Sequence, residues 1–195
     1  MNSCFKGKFR VTSPFGKRTL NGSTSQHYGI DLVGEDDTTV YAPCDGVIGA
    51  STIIFDKSNR TWEWGNYIRL DTLDKKHSIY LCHLASRSVS AGKTVKKGDR
   101  LGVMGNTGYS FGAHTHYEVR KYGTAVKENP ADFIGIPNRV GTYAEDDEVQ
   151  EIVEYVSVLN KAGIIDNIEL WKRKAASDKD IYWLLRKTAT KLKEV

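Results

Sequence analysis

The chain has 195 residues, a formal net charge of +4 and a hydrophobic fraction of 39%. This length allows one domain of medium size, with or without a small appendage, and a real hydrophobic core. The mild positive charge includes no block of Lys and Arg and no alternation of basic and aromatic residues, which argues against a nucleic-acid partner. No apolar run reaches membrane length, and the three cysteines lack metal-type spacing and are expected to be reduced.

Short runs rich in Val, Ile and Tyr recur between residues 8 and 137, separated by Gly, Asn and Asp. No ten-residue stretch of this region has a helical period. The pattern is typical of β-strands, which we predict at 38–42, 46–55, 66–71, 78–84, 100–104 and 114–120. The first 137 residues are therefore predicted to form a mainly β domain.

The composition changes after residue 137. A polar, acidic segment at 138–147 is predicted to be a linker. Apolar residues at helical spacing then predict a three-helix module over 148–195, with helices at about 148–161, 166–176 and 177–193. A unit of this size has a marginal core. It is expected to self-associate, to dock elsewhere, or to brace the first domain.

The histidines are the residues most informative about chemistry. His114 and His116 are two residues apart on a predicted strand, so their side chains point the same way. Two histidines on the surface of a strand would have the same spacing. His27 and Asp31, joined by one of His114 or His116, would form a set of two imidazoles and one carboxylate. Such a set suits a catalytic zinc ion with one position left for water. The remaining imidazoles can carry protons near neutral pH.

The order of these motifs resembles that of the lysostaphin/LytM-type M23 metallopeptidases, which are zinc endopeptidases that cut the peptide part of peptidoglycan. The resemblance covers roughly residues 8 to 137, and its strength comes from several short motifs in the same order. The segments that carry it, besides His27 to Asp31, are Val11–Arg18, Val40–Ile48, Gly65–Ile68, Tyr80–Leu84, Gly98–Gly102, Gly108–Val119 and Asn129–Pro130.

The resemblance implies that His27, Asp31 and His116 bind one Zn²⁺ ion. It also implies that His83 and His114 are catalytic. One would be the general base toward the zinc-bound water, and the other would stabilise the tetrahedral species or protonate the leaving amine. The sequence does not assign these two roles. It lacks the His-Glu-x-x-His motif that supplies a glutamate base in other zinc proteases.

Five further residues are candidates for supporting roles. Trp62 and Trp64 could share one face and line a substrate-binding wall, or they could pack in the core or at an edge. Tyr109 and Ser110 lie in the loop before the histidine pair and are candidates for substrate contact. Glu118 has the parity of His114 and His116 on the strand, so it could orient a ligand imidazole or be solvated.

Three consecutive acidic residues, 35–37, follow Asp31 closely. They could favour a substrate with a cationic amine, or they could form a solvated loop.

The implied fold is mainly β, with antiparallel sheets that form a substrate groove, and it carries a small C-terminal α-helical module. The implied function is that of a peptidoglycan hydrolase which cuts stem or cross-bridge peptides of the bacterial cell wall. Its partner would be peptidoglycan peptide, without nucleic acid or membrane insertion, and the C-terminal helices could self-associate or dock to the wall or a phage tail. The first seven residues lack the apolar segment of a signal peptide. We therefore expect synthesis in a host cytoplasm followed by release as a phage lysin, or a place on the virion.

Two other functions are consistent with parts of the sequence. An inactive M23-like protein could serve as an activator or a structural wall-binding part, but inactive relatives usually lose ligands or catalytic histidines, and all five positions are filled here. The segments around residues 42–47 and 98–102 also resemble sugar-phosphotransferase carrier domains, which relay phosphate through paired histidines. The His-x-x-x-Asp and His-x-His motifs together fit such a carrier poorly.

Overall fold

The computed structural model describes residues 2–20, 22–144, 155–177, 181, 184, 185 and 188. The chain divides into two compact units, Met1–Ala144 and Glu145–Val195. The first unit contains the predicted β domain and the second the predicted helices.

The first unit is built mainly from short strands. They are β1 (Lys8–Ser13), β2 (Gly16–Leu20), β3 (Ser23–His27), β4 (Ile30–Gly34), β5 (Thr39–Tyr41), β6 (Gly46–Ile53), β7 (Asn66–Thr72), β8 (His77–Cys82), β9 (Ser86–Arg87), β10 (Thr94–Val95), β11 (Arg100–Val103), β12 (Thr115–Lys121), β13 (Lys127–Glu128) and β14 (Gly141–Ala144). A 3₁₀ helix at Arg60–Trp64 precedes β7, and a short α-helix at Pro130–Ile134 follows β13.

Most strands belong to one large sheet, whose order is β10-β6-β7-β8-β12-β4-β1-β14, with β13 also paired to β12. A smaller sheet has the order β5-β11-β9, and β2 and β3 form a separate hairpin. The pairings in all three are antiparallel. The predicted mainly β fold is therefore confirmed, and the six predicted strands correspond to β5, β6, β7, β8, β11 and β12.

The end of the first unit differs from the predicted boundary. The prediction closed the β domain at residue 137 and assigned 138–147 to a linker, but β14 lies inside that segment. It pairs with β1 in a register that sets Lys8 opposite Ala144 and Val11 opposite Gly141. Without β14, β1 would be an exposed edge with unpaired backbone groups. The polar composition of the segment concealed this pairing, although Tyr143 of β14 packs against Phe9 with ring centroids 6.1 Å apart.

One face of the large sheet packs into the core. Ile79 and Leu81 of β8 are fully buried, as are Tyr117 and Val119 of β12. Burying a side chain of this size contributes about 1.5–3 kcal/mol. Because side chains alternate along a strand, anchoring Tyr117 and Val119 in the core turns His116 to the opposite face of β12.

The second unit has its own apolar cluster. Residues 155–161 are helical, Gly163 follows with a φ of +71°, and a further helix runs over Ile168–Ser177. The buried members of the cluster are Tyr155, Val156, Leu159, Ile165, Ala175 and Leu185. The first part of the predicted helix at 148–161 and most of the predicted helix at 177–193 lie outside the described residues. Within the described part of the chain, no helix is both long and apolar enough to cross a membrane.

Candidate metal centre

Neighbouring strands bring the three predicted ligands together. β12 pairs with β4 in a register that places His116 directly opposite Asp31. His27 is the last residue of β3, and the two-residue connection to β4 returns it to the side of Asp31. Gly29, in that connection, leaves space for the ring of His116, because a Cβ atom there would lie 2.5 Å from Nε2 of that ring.

The ligand atoms of these three residues converge on one point, with all of them within 4.8 Å of one another. Oδ1 of Asp31 lies 3.0 Å from Nδ1 of His116 and 3.2 Å from Nε2 of His27. The two ring nitrogens are themselves 3.1 Å apart. The group is nearly inaccessible to solvent, with 4% exposure of His27 and 8% of Asp31.

The outer contacts of the two imidazoles decide which nitrogen of each ring carries a proton. Nδ1 of His27 donates to the carbonyl of Pro14 at 2.9 Å, which leaves its Nε2 with a lone pair. Nε2 of His116 faces Oε2 of Glu118 at 3.6 Å, which directs its Nδ1 lone pair to the same point. Two lone pairs and a carboxylate oxygen that face one another are a donor set for a divalent cation.

The electrostatics of the cluster are dominated by its carboxylate. Burial opposes the charge on Asp31, but hydrogen bonds from His114, His116 and His27, which these rings donate when they are protonated, hold its pKa far below the ordinary value. Burial also opposes a charge on His116, yet Asp31 and Glu118 overcome it and raise the pKa of His116 to about 9. A metal ion bound by this ring would therefore have to displace a proton from it.

The two predicted catalytic histidines lie beside the three ligands. The ring centroids of His83 and His114 are 4.7 Å apart, and Nε2 of His114 is 3.5 Å from Oδ1 of Asp31. Nδ1 of His83 donates to the carbonyl of Thr107 at 2.9 Å, and Nδ1 of His114 donates to the carbonyl of Gly112 at 2.8 Å. Each ring therefore has its Nε2 available for proton transfer.

His83 occupies an unusual backbone position. The predicted strand at 78–84 ends at Cys82, and His83 adopts a φ of +65° with its N–H bonded to the carbonyl of Trp64. Such a conformation costs a non-glycine residue about 1–3 kcal/mol and is maintained only by the surrounding structure. Burial, followed by the neighbouring charges of His116 and His114, lowers the pKa of His83 from 6.5 to about 4. The ring is therefore neutral at pH 7.

Glu118 lies behind His116 and is only 3% exposed. It accepts a short hydrogen bond from Nε of Arg120, whose guanidinium packs over the rings of Trp64 and Tyr80 at 5.1 and 4.5 Å from their centroids. Burial raises the pKa of Glu118, but His116 and Arg120 overcome this and lower it. Glu118 thus sits as a charged, buried side chain against the ligand ring.

The predicted substrate contacts fall into two groups. Trp62 packs edge-on against Tyr109, which is 58% exposed, and Oγ of Ser110 lies 3.3 Å from Nδ1 of His114. The ring of Trp64 has other neighbours, Tyr67 among them at 5.1 Å between centroids. The two tryptophans do not share a face as they would on a strand, because they lie on a 3₁₀ helix with about three residues per turn.

The acidic segment 35–37 is bonded to its own domain. Glu35 pairs with Nε of Arg10 at 3.1 Å, and Asp36 accepts the backbone N–H of Lys8 at 2.8 Å. Asp37 accepts the hydroxyl of Tyr41 at 2.6 Å, which lowers the pKa of the carboxyl. These contacts give the three acids a structural role next to β1 and β5.

Several residues that contact this centre were not singled out from the sequence, among them Gly29, Thr107 and Arg18. Gly29 clears space for His116, Thr107 holds His83, and Arg18 donates to Oδ2 of Asp31 at 3.3 Å. Arg18 lies in one of the segments that carry the family resemblance, which is the one sequence signal that marked it. The contact made by Thr107 uses its backbone carbonyl, so its side chain gave no signal.

Comparisons with known proteins identify relatives of the first unit. The peptidoglycan DD-endopeptidase ShyC of Vibrio cholerae is 36% identical over 124 residues, which are 62% of this chain and 26% of the relative. An uncharacterized metalloprotease of Haemophilus influenzae is 36% identical over 120 residues, 60% of this chain and 24% of the relative. The chain thus spans about a quarter of the length of these relatives.

Solved structures show the same fold. The catalytic domain of lysostaphin from Staphylococcus simulans superimposes with a TM-score of 0.53 at 27% identity, covering 67% of this chain and 92% of that domain. The structure of LytU gives a TM-score of 0.55 at 30% identity, covering 65% of this chain and 84% of that one. The sequence model of peptidase family M23 matches residues 25–128, which include all five histidine and aspartate positions of the centre. This match extends over more than half of the chain, and the chain belongs to peptidase family M23.

Proposed function

We propose that this protein is a zinc-dependent endopeptidase of peptidoglycan that cuts stem or cross-bridge peptides of the bacterial cell wall. The observation that carries the proposal is the convergence of two imidazole lone pairs and one carboxylate oxygen within 4.8 Å. Two further imidazoles stand beside this donor set, each anchored through its Nδ1 atom. The names of ShyC and lysostaphin, a peptidoglycan endopeptidase and an antimicrobial peptidase, support the choice of substrate.

His27, Asp31 and His116 would hold the metal ion. Two nitrogen ligands and one oxygen ligand match the catalytic zinc sites that keep a fourth position for water. When bound, zinc supplies Lewis acidity, which lowers the pKa of bound water and polarises the scissile carbonyl.

His83 and His114 would carry out the proton transfers. His83 is neutral at pH 7, because its pKa lies at about 4, so its Nε2 can accept a proton. His114 presents its Nε2 3.5 Å from Oδ1 of Asp31, at the edge of the same cluster. One ring would take the proton of the attacking water, and the other would donate to the tetrahedral oxygen or the leaving amine.

The substrate would contact the loop that holds His114 and the 3₁₀ helix next to it. Tyr109, Ser110 and Trp62 belong to this wall, and the exposure of Tyr109 supports contact with a ligand. Trp64 is also a candidate, although its ring packs against Tyr67, Tyr80 and Arg120. A groove above this face of the sheet remains a prediction, as do docking or self-association through the C-terminal helices and delivery as a phage lysin or on a virion.

Mass spectrometry of purified sacculi digested by the protein tests this function. The matched variants are His83→Ala, His116→Ala and the control His77→Ala, which removes a histidine paired with Glu128 outside the centre. We expect new free amines without new reducing sugar ends, lost with a chelator and in the first two variants but kept in the control. The fragment masses would also identify the bond that is cut.

Two outcomes would contradict the proposal. New reducing ends would indicate a glycosidase, and amines that persist in the presence of a chelator would indicate a reaction without a metal ion. If zinc binds but no wall chemotype is cut, the inactive wall-binding alternative would replace the endopeptidase.

A further inference from the structure

Arg18 lies on β2, outside the large sheet, yet its guanidinium reaches the ligand carboxylate. Its Nη1 atom donates to Oδ2 of Asp31 at 3.3 Å and to Oγ of Ser13 at 2.7 Å. The β2–β3 hairpin therefore contributes a cation to the outer side of the metal centre.

The two oxygens of Asp31 have separate environments. Oδ1 faces the imidazoles, with Nδ1 of His116 at 3.0 Å, whereas Oδ2 faces Arg18. A carboxylate can bind a metal ion through one oxygen or both, and binding through both would fill a position needed by water. An N–H donor on Oδ2 removes that oxygen from the ion and fixes the rotation of the carboxylate.

We propose that Arg18 is a positioning residue that holds Asp31 as a one-oxygen ligand and so keeps one coordination position open. The inference rests on the proposed zinc endopeptidase function. It concerns a residue that acts through Asp31 and does not touch the reacting atoms.

The strand pairing beneath Arg18 supports this role. The register of β1 against β4 shifts between Val11 and Ser13, and the shift sets Ser13 opposite Asp31. Oγ of Ser13 also lies 3.4 Å from Nδ1 of His27. Ser13 and Arg18 together therefore contact two of the three proposed ligands, His27 and Asp31.

The hydrogen bonds of the guanidinium also support a positioning role. Within the described part of the chain, Nε of Arg18 is buried and has no hydrogen-bond partner. If the position of Arg18 were set by the hydrogen bonds of its own guanidinium, Nε would also have a partner, since a buried N–H without one is unfavourable. Its orientation is set instead by Ser13 and Asp31. The side chain of Arg18 is 31% exposed and that of Asp31 is 12% exposed, so solvent screens this contact only in part.

The test measures zinc affinity by competition with a chelating dye in Arg18→Met, Arg18→Lys and the control Lys17→Met. Lys17 is an exposed neighbour on the same strand and its loss changes the net charge equally. Loss of an outer contact to a metal ligand typically lowers metal affinity about 10–100-fold, and we expect a loss of this size in Arg18→Met. Arg18→Lys, which retains a cationic donor, should recover part of the affinity, and Lys17→Met should match the wild type.

Two further readings separate positioning from other roles. The melting temperature of the metal-free protein should be close to that of the wild type in all three variants. At saturating zinc, kcat on a defined peptide should fall in Arg18→Met while KM is retained. If Arg18→Met does not fold, Arg18→Gln keeps a polar N–H donor but ends two bonds short of the Nη1 position, and its zinc affinity should lie below that of the wild type.

Wild-type zinc affinity in the folded Arg18→Met or Arg18→Gln variant would overturn the inference. So would a rise in KM alone, which would assign Arg18 to substrate contact, and an equal loss in Lys17→Met, which would indicate a general charge effect. Failure of the proposed function is distinguishable from these results, because the wild-type protein would then bind no zinc or cut no wall peptide.

Discussion

Gly29 is the position where a single methyl group should disable the metal centre. An added Cβ atom would lie 2.5 Å from Nε2 of His116 and 2.8 Å from the carbonyl oxygen of Tyr117. Gly29 lacks a positive φ, so Gly29→Ala imposes no backbone strain of its own. The ring of His116 can move, whereas the contact with the carbonyl of Tyr117 requires a small shift of the backbone at residue 29. We therefore expect Gly29→Ala to displace a ligand while the fold remains.

The size of the effect follows from the cost of overpacking. Extra atoms in a tight site typically cost about 1–3 kcal/mol. If the metal-free protein relieves this cost by swinging the ring away and the metal-bound protein cannot, zinc affinity falls by about 5- to 150-fold. The ring also loses its approach to Glu118, which adds to the loss.

Chelator competition measures the affinity, and denaturant unfolding of the metal-free protein measures stability. The control is Gly34→Ala at the other end of β4, whose Cβ would lie 2.7 Å from Cδ1 of Phe5 in the core and away from the ligands. We expect Gly34→Ala to lose stability but keep its zinc affinity. Wild-type affinity in Gly29→Ala, or an equal loss in Gly34→Ala, would refute the reasoning.

Three further predictions concern charge and packing. The pKa of His83 falls from 6.5 to about 4 on folding, so the unfolded chain takes up a proton at a higher pH than the folded chain does. The unfolding free energy of the metal-free protein should therefore drop by about 3 kcal/mol from pH 6.5 to pH 4. Denaturant titrations of His83→Gln should lack this loss. Glu118→Gln removes the charge behind His116 and should weaken zinc binding about 10–100-fold by chelator competition, whereas Glu63→Gln on the exposed face of the 3₁₀ helix should not. Leu81→Ala creates a cavity in the core and should cost about 2–5 kcal/mol of unfolding free energy, and a cost below 1 kcal/mol would contradict the packing described for β8.

The sequence predicted six of the fourteen strands described for the first unit, and it did so where the signal is local. Alternating apolar residues indicate strands such as β7 and β8, where every second side chain faces the core. The tail carried a helical period, and the helix at Ile168–Ser177 lies where that period predicted it. β14 escaped prediction because it has four residues and lies within a polar segment, so the one side chain that packs against the core, Tyr143 on Phe9, did not stand out.

The metal centre also has features that local sequence patterns predict and features that they do not. Residue types and spacing selected His27, Asp31 and one of His114 or His116 as a ligand set, because few side chains bind zinc. The family resemblance was needed to choose His116. The split between Trp62 and Trp64 was not predictable, since spacing of two has different meanings on a strand and on a 3₁₀ helix.

By itself, then, the sequence indicated the family and the mainly β fold, and it supplied the proposal of which residues bind the metal ion and which histidines are catalytic. The tertiary structure alone decided which nitrogen of each imidazole faces the cluster, because that choice depends on the distant carbonyls of Pro14 and Thr107 and on the strand register of Glu118. It also decided that the positive charge of Arg18 lies against Asp31 and that the acids of 35–37 do not stand free. The physical reason is that these properties belong to pairs of residues from different strands, and a pattern read along one chain does not contain the distance between them.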